Sequence, residues 1–200
     1  MSGIIRLATL SDVPVVAAVF ARAFFDDPVT SWTFPNPATR ARRLAGLYSA
    51  IIRYEGVPMG STFVAEDSSR LLGAAVWRRR ARRDRLAWRD VPFSLASGWA
   101  LGRELGRTMS AGRSASRARP RTSHWYLQLL GVDPDLQRTG IGSALVREQL
   151  ATCDAERMPA YLETTAENVD FYVRLGFEVT GGFAVGNDAL RQYSMWRYPR

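Results

Sequence analysis

One segment constrains the fold and chemistry of this 200-residue chain more than any other. Residues 127–144 read LQLLGVDPDLQRTGIGSA, which is an apolar strand-like run, a turn with Pro and Asp, and glycines at the start of a helix. Gly140 and Gly142 have no Cβ, so their backbone N–H groups are open to a ligand, and the helix adds unpaired N–H groups and a positive dipole end. The segment predicts a strand-turn-helix unit that binds a pyrophosphate, although such glycines also serve turn geometry alone. Its spacing matches neither the Rossmann nor the P-loop pattern.

Two separate motifs carry a family resemblance. Val132-Asp133-Pro134 followed by Gln137-Arg138-Thr139-Gly140-Ile141-Gly142 resembles the acetyl-CoA motif of the GCN5-related N-acetyltransferase (GNAT) superfamily. Residues 168–177, NVDFYVRLGF, resemble the downstream segment of the same superfamily. Both ends of the chain look most similar to puromycin N-acetyltransferase-like members, in RLATLSDVP, AFFDDP and PAYLETTAENVDFYVRLGFEVT, whereas residues 35–120 are not similar.

The resemblance implies the GNAT fold, an α/β (α+β) architecture. Its mixed and mostly antiparallel sheet would have about six or seven strands flanked by helices. Strands at 125–132 and 160–164 would splay apart and hold acetyl-CoA between them. The length and hydrophobic content favour a single N-acetyltransferase domain over residues 1–200, with an Arg-rich insert at about 79–123.

Periodicity gives the same order of elements from the residues alone. Helices are predicted at 13–25, 38–54, 140–155 and 168–175, and strands at 4–7, 61–66, 71–78, 125–132, 160–164, 177–185 and 190–196. The end of the insert, 110–121, is predicted to be a flexible loop because Gly, Ser and Arg dominate it.

Charge and composition exclude some function classes. The 27 basic residues are all Arg, so chemistry that needs a lysine of this chain, such as a Schiff base or a P-loop, is excluded. Much of the net charge of +8 lies in the insert, which is predicted to be a solvated face of the protein. A role of these arginines in attracting the anionic cofactor, nucleic acid or a membrane surface is a less favoured interpretation. With only Cys153 and His124 as soft ligands, no metal site is expected.

Targeting signals are not visible in the sequence. The longest uncharged runs fall short of the roughly 18 residues that a membrane span needs. The N-terminal residues do not resemble a signal peptide, so the cytoplasm is the expected location.

The resemblance implies which residues bind acetyl-CoA. Backbone groups of Leu130, Gly131 and Val132 would pair with the pantetheine amides, and an N–H at or close to Val132 would polarise the thioester oxygen. The pyrophosphate would lie on the turn formed by Gln137, Arg138, Thr139, Gly140, Ile141, Gly142 and Ser143. Asn168 would hydrogen-bond the pantetheine or order the start of its helix.

Two residues are the candidates for proton transfer. By resemblance, the phenol of Tyr172 would protonate the leaving thiolate, although Tyr172 also fits an aromatic core cluster. Glu163, at the end of its strand, is the candidate base that takes a proton from the acceptor amine. His124 is the alternative base because its ordinary pKa lies near neutrality.

The acceptor-binding residues are predicted after the first helix. Asp26 and Asp27 would hold a cationic amine and Trp32 would stack on a ring, although the two carboxylates also fit a capping role. The predicted reaction is acetylation of a primary amine of a small molecule, an aminonucleoside-type or other antibiotic, by direct attack on the thioester.

Other partners and functions stay open at this stage. The alternative acceptor is a protein N-terminus or lysine. The non-enzymatic alternative is an acyl-CoA-sensing or nucleic-acid-binding module, and nucleic acid is the less favoured partner. Nothing in the sequence decides for or against a homodimer.

Overall fold

The computed structural model describes residues 3–68, 70–80 and 104–200. Within these ranges a seven-stranded sheet has the order β1-β2-β3-β4-β5-β7-β6. The strands are β1 (Ile4–Leu7), β2 (Thr62–Glu66), β3 (Leu71–Arg80), β4 (His124–Val132), β5 (Ala160–Thr164), β6 (Glu178–Val185) and β7 (Asn187–Arg197). The helices are α1 (Val13–Ala23), α2 (Pro28–Thr33), α3 (Pro37–Ile51), α4 (Leu105–Ala118), α5 (Ile141–Ala155) and α6 (Val169–Val173).

The pairing of the strands is mixed. Every neighbouring pair is antiparallel except β4 and β5, which are parallel. Parallel neighbours need a crossover connection, and here α5 supplies it. The predicted fold class is confirmed.

Helices cover both faces of the sheet, and the alternation of β3 shows why. Ala74 and Val76 are buried in one apolar cluster with α1 and α3. Ala75 and Trp77 are buried in a second cluster with α5 and α6. Successive residues of a strand point to opposite faces of the sheet. A strand that is buried on both faces must therefore be apolar at consecutive positions.

β4 and β5 separate after two residue pairs. Trp125 pairs with Ala160 and Tyr126 with Tyr161, and no further pair of these strands follows in the described residues. The Trp125 N–H also donates to the Pro159 carbonyl oxygen at 2.8 Å. The predicted splay is therefore present, and it begins beyond Tyr126.

A β-bulge lies in β4 where the splay begins. Trp77 pairs with Leu127, but its neighbour Val76 pairs with Leu129, so Gln128 is an extra residue without a direct partner on β3. A bulge bends its strand and increases the local twist. The bulge thus turns the second half of β4 away from β5, and the sequence analysis did not anticipate it.

One secondary-structure prediction was wrong. Residues 110–121 were expected to form a flexible loop, but α4 extends through Ala118. A second difference is α2, a short helix where only a loop was expected; it begins at Pro28 because the Asp27 side chain accepts a hydrogen bond from the Thr30 N–H. The predictions for residues 81–103 lie outside the described residues.

Among the helices in residues 3–68, 70–80 and 104–200, none is long and apolar enough to cross a membrane.

Candidate active site

The direction of the backbone groups in β3 fixes which groups of β4 are free. The Trp77 N–H donates to the Ser61 carbonyl oxygen at 2.8 Å, on the β2 side. Because backbone groups alternate along a strand, those of Val76 and Ala74 point the other way, toward β4.

Leu129 pairs with Val76, and Gly131 pairs with Ala74. The N–H and C=O groups of Leu129 and Gly131 are therefore directed toward β3. The residues that alternate with them, Leu130 and Val132, direct their N–H and C=O groups away from β3 and toward the splay. A peptide-like ligand between β4 and β5 would find these groups as donors and acceptors.

Gly131 has a packing role. A Cβ at Gly131 would lie 2.5 Å from Cδ1 of Phe20, which is fully buried on α1. Of the predicted trio, Leu130 and Val132 thus face the splay, whereas Gly131 allows α1 to approach β4 closely.

The turn between β4 and α5 has an unusual backbone. Arg138 has φ 63° and Gly140 has φ 92°, both in the left-handed region. Residues 137–140 are exposed. The Ala144 N–H makes the first intrahelical bond, to the Gly140 oxygen at 3.0 Å, so the N–H groups of residues 141–143 precede the helical ladder. Such clustered N–H groups at the end of a helix dipole form an anion site, which fits a pyrophosphate.

Asp133 anchors the start of this turn. Its buried carboxylate accepts a 2.6 Å hydrogen bond from Nη2 of Arg22 on α1 and a weaker one from the Asp135 N–H. The Arg22 hydrogen bond offsets burial and holds the pKa of Asp133 below its usual value. The motif turn is therefore tied to α1, a contact that the sequence analysis did not predict.

Tyr172 lies in the cluster that the two splayed strands share. Its side chain is buried together with Leu127 of β4 and Leu162 of β5, and the ring meets Phe171 and Phe177 edge-on at 4.9 and 5.9 Å. Burial raises its pKa well above the usual tyrosine value. The phenol thus remains protonated at neutral pH, as a general acid must.

Asn168 stands just before α6 and is exposed. Its side-chain amide donates to the Thr165 hydroxyl at 3.3 Å, a contact that orders the turn before the helix.

Glu163 is the centre of a buried polar cluster. Nε of Arg119 donates to its Oε1 at 2.7 Å, and the Tyr126 hydroxyl donates to its Oε2 at 2.6 Å. The guanidinium also donates to the Tyr126 oxygen at 2.7 Å and lies 4.3 Å from the centre of that ring. The Glu163 side chain is 5% exposed. The cluster thus joins β4, β5 and the end of α4 at the point where the strands diverge.

His124, the alternative base, is buried at the start of β4. Its Nδ1 is 2.6 Å from the Thr122 carbonyl oxygen, which makes Nδ1 the protonated nitrogen. Nε2 is buried without a hydrogen-bond partner in the described residues. Burial lowers the pKa of His124, so the ring is neutral near pH 7.

The two acidic residues after α1 differ in their surroundings. Asp26 is exposed, whereas Asp27 is half-buried and caps α2 through its 2.8 Å bond from Thr30. Burial raises the pKa of Asp27, and the nearby Glu167 adds to the effect. The capping role considered for Asp27 exists, but the carboxylate begins α2 and does not end α1.

Trp32 is enclosed by two other elements. Its carbonyl oxygen accepts a hydrogen bond from Nη1 of Arg107 at 3.0 Å, and the guanidinium lies 5.8 Å from the ring centre. The ring also lies directly on Gly186, where a Cβ would overlap its six-membered part and φ is 74°. Trp32 therefore connects α2, α4 and the turn between β6 and β7.

Comparison with known proteins identifies the family. The family model described as "Acetyltransferase (GNAT) family" matches residues 21–177. The chain belongs to this family. It is therefore an acyltransferase of the GNAT class that uses acetyl-CoA to acetylate amines.

Solved GNAT structures share the fold over the whole chain. A structure described as histone acetyltransferase HPA2 and related acetyltransferase, from Corynebacterium glutamicum, is 27% identical with a TM-score of 0.74 and covers 100% of this chain and 98% of its own. PaiA N-acetyltransferase from Thermoplasma acidophilum, in complex with coenzyme A, is 15% identical with a TM-score of 0.59 and covers 99% of each chain. An agmatine N-acetyltransferase is 16% identical with a TM-score of 0.59 and covers 99% of this chain and 100% of its own.

For this GNAT acetyltransferase, the sequence did not indicate the partners of the predicted site residues, because these contacts span long separations. Arg119 and Tyr126 meet Glu163 from 44 and 37 residues away, and Arg107 meets Trp32 from 75. Only the density of Arg in the insert was a signal, and it did not indicate which arginines turn inward. The special likeness to puromycin N-acetyltransferase-like enzymes stays a prediction.

Proposed function

We propose that this acetyltransferase acts on a primary amine of a small molecule, an aminonucleoside-type or other antibiotic being the first class to test. The observation that supports this most is the position of α4. It packs beside α2 and β6, and its two terminal arginines reach Trp32 and Glu163. A helix fixed across the acceptor side favours an enclosed pocket over the open groove that a peptide needs.

The cofactor side of the reaction is assigned to backbone groups. Acetyl-CoA would extend along β4, with its amides on Leu130 and Val132 and its pyrophosphate on the N–H groups of residues 137–143. Arg138 would add a charge-assisted bond to a phosphate oxygen. In the attack, the amine nitrogen forms a bond to the thioester carbon, and a backbone N–H at or near Val132 would stabilise the negative charge on its oxygen.

Collapse of that intermediate breaks the C–S bond and re-forms the carbonyl. Tyr172 would transfer its phenolic proton to the departing sulfur, and Asn168 would order the helix that carries Tyr172. Glu163 would take the proton of the acceptor ammonium, directly or through a water. Each oxygen of its carboxylate retains a further lone pair that can accept that proton.

The acceptor itself would lie among α2, α4 and the β6–β7 turn. Trp32 would provide a face for an aromatic or cationic group, and Asp26 and Asp27 would attract the amine. Location in the cytoplasm, where acetyl-CoA and free amines meet, completes this proposal.

A protein acceptor is the second candidate. It is favoured by the 27% identity to the structure described as a histone acetyltransferase and related acetyltransferase. A lysine or N-terminal amine would need space for the flanking residues of the peptide.

Release of the CoA thiol distinguishes the two candidates. Acceptors should include aminonucleosides, aminoglycosides, polyamines, arylalkylamines, and peptides with a free N-terminus or lysine. We expect a small amine to exceed the peptides in kcat/KM by about tenfold or more, because an enclosed pocket gains binding energy only from ligands that enter it. Higher kcat/KM for the peptides would contradict the proposal. Enzyme without acceptor gives the background of thioester hydrolysis.

A further inference from the structure

In the part of the chain that the structure describes, helix α4 is not held in place by burial of its own side chains. None of its 14 residues, all of which the structure describes, is buried. Apolar burial is the main source of helix stability in proteins, so α4 needs other contacts to stay against the sheet.

Arginines provide such contacts at both ends of α4. Arg107, in the first turn, bonds the Trp32 carbonyl oxygen at 3.0 Å and lies over the Trp32 ring. Arg119, the residue that caps the C-terminus, bonds Glu163 and the Tyr126 hydroxyl, each at 2.7 Å. In contrast, Arg113 lies between them on the same helix and is exposed.

The two contacts differ in strength for a physical reason. Arg119 is 23% exposed and its partner carboxylate 5%, so water screens this pair weakly, and removal of the guanidinium leaves a buried charge unpaired. The Arg107 contact is exposed and pairs a cation with neutral groups. Arg119 should therefore contribute more than Arg107.

We propose that Arg107 and Arg119 are positioning residues that fix α4 across the acceptor side and thereby hold Trp32 and Glu163 for the acceptor. The proposal rests on the proposed function for the roles of Trp32 and Glu163, but the attachment of α4 can be tested without any activity.

Hydrogen exchange measured by mass spectrometry tests the attachment. Arg119→Met keeps the methylene stem and removes the charge; Arg107→Met does the same at the other end, and Arg113→Met is the matched control on the same helix. We expect amide exchange over residues 105–118 to become about tenfold faster or more in Arg119→Met, a few-fold faster in Arg107→Met, and unchanged in the control. Arg119→Lys restores the charge on a single ammonium nitrogen in place of a planar fork, so its exchange should be intermediate.

Kinetics then separates positioning from simple loss of stability. With an acceptor that the wild type uses, Arg119→Met should raise the acceptor KM about tenfold or more and lower kcat, whereas Arg107→Met should raise KM alone. The Kd of acetyl-CoA should stay within about twofold in both, and Arg119→Lys should recover part of kcat.

The outcomes that overturn the proposal are specific. Wild-type exchange over 105–118 in both Arg119→Met and Arg107→Met, or equal acceleration in Arg113→Met, refutes the attachment. Faster exchange with an unchanged acceptor KM refutes the acceptor role. If the wild type acetylates none of the amines, the proposed function fails, and the exchange data alone decide whether the arginines hold α4.

Discussion

Replacement of Tyr172 by Phe removes one oxygen and tests the proposed acid directly. In the described structure the phenol oxygen has no hydrogen-bond partner, and the ring is held by Phe171 and Phe177 through edge contacts that a phenylalanine would keep. The substitution therefore separates the hydroxyl from the packing of the ring.

The expected effects on stability and rate differ in size. The Tyr172 oxygen is not among the fully buried side-chain atoms that lack a partner, so Tyr172→Phe should change the free energy of unfolding by less than about 1 kcal/mol. Loss of a general acid lowers the rate about 10²- to 10⁴-fold, which corresponds to about 3–5 kcal/mol in the activation free energy. If Tyr172 only fills the core, removal of its hydroxyl should leave kcat unchanged.

The assay needs both quantities from the same preparations. Urea unfolding gives the stability, and CoA-thiol release at saturating acceptor and acetyl-CoA gives kcat. Tyr48→Phe is a control for loss of a tyrosine hydroxyl elsewhere in the core: Tyr48 is also buried, but its hydroxyl interacts with Thr30, and its ring packs with Phe20 and Phe24 on the opposite face of the sheet. Its kcat should stay within about twofold of the wild type. If Tyr172→Phe keeps more than about a third of the wild-type kcat while chemistry limits the rate, the acid lies elsewhere.

Three further substitutions test the packing, the cofactor turn and a buried histidine. Gly131→Ala places a Cβ 2.5 Å from Phe20, so urea unfolding should show a loss of about 1–3 kcal/mol, and wild-type stability would contradict the close approach. At Gly142 a Cβ would be in ordinary contact at 3.6 Å, so Gly142→Val should cost less stability than Gly131→Ala. Its affinity for acetyl-CoA, measured by calorimetry, should fall about tenfold or more because the side chain would block the pyrophosphate. Unchanged affinity would remove this residue from the site. Because burial lowers the pKa of His124 in the folded state, the unfolded state binds the proton first, and wild-type stability should fall as the pH drops below about 6.5. His124→Asn, which can keep a donor to the Thr122 oxygen, should flatten the fall of unfolding free energy from about pH 7 to about pH 5, and an equally steep fall would assign the effect to other groups.

The cofactor motif was readable from the sequence because its parts are close along the chain. Gly140 follows Val132 by eight residues, and the strand, the turn and the helix between them are set by local geometry. Most helices and strands were also predictable from the sequence, because the spacing of their apolar residues reflects which face is buried. The resemblance of these motifs to GNAT enzymes then supplied the arrangement of the sheet, which the family match confirms.

Other features depend on residues that are distant in sequence. Nothing near Gln128 indicates a bulge, because the bulge is a property of the pairing between β3 and β4. The choice of Leu130 and Val132 over Gly131 for the splay also follows from that register. A one-residue shift would reverse the choice while leaving the sequence of β4 the same.

Helix α4 shows most directly what the sequence alone does not predict. Its Gly, Ser and Arg content predicts a loop, and as a helix it buries none of its residues. Its place is decided by Arg107 and Arg119, whose partners come from other elements. Local propensity and periodicity determine the motif and the order of the elements. The contact between Arg119 and Glu163 depends on the tertiary structure, because the two residues lie on elements that are distant in sequence.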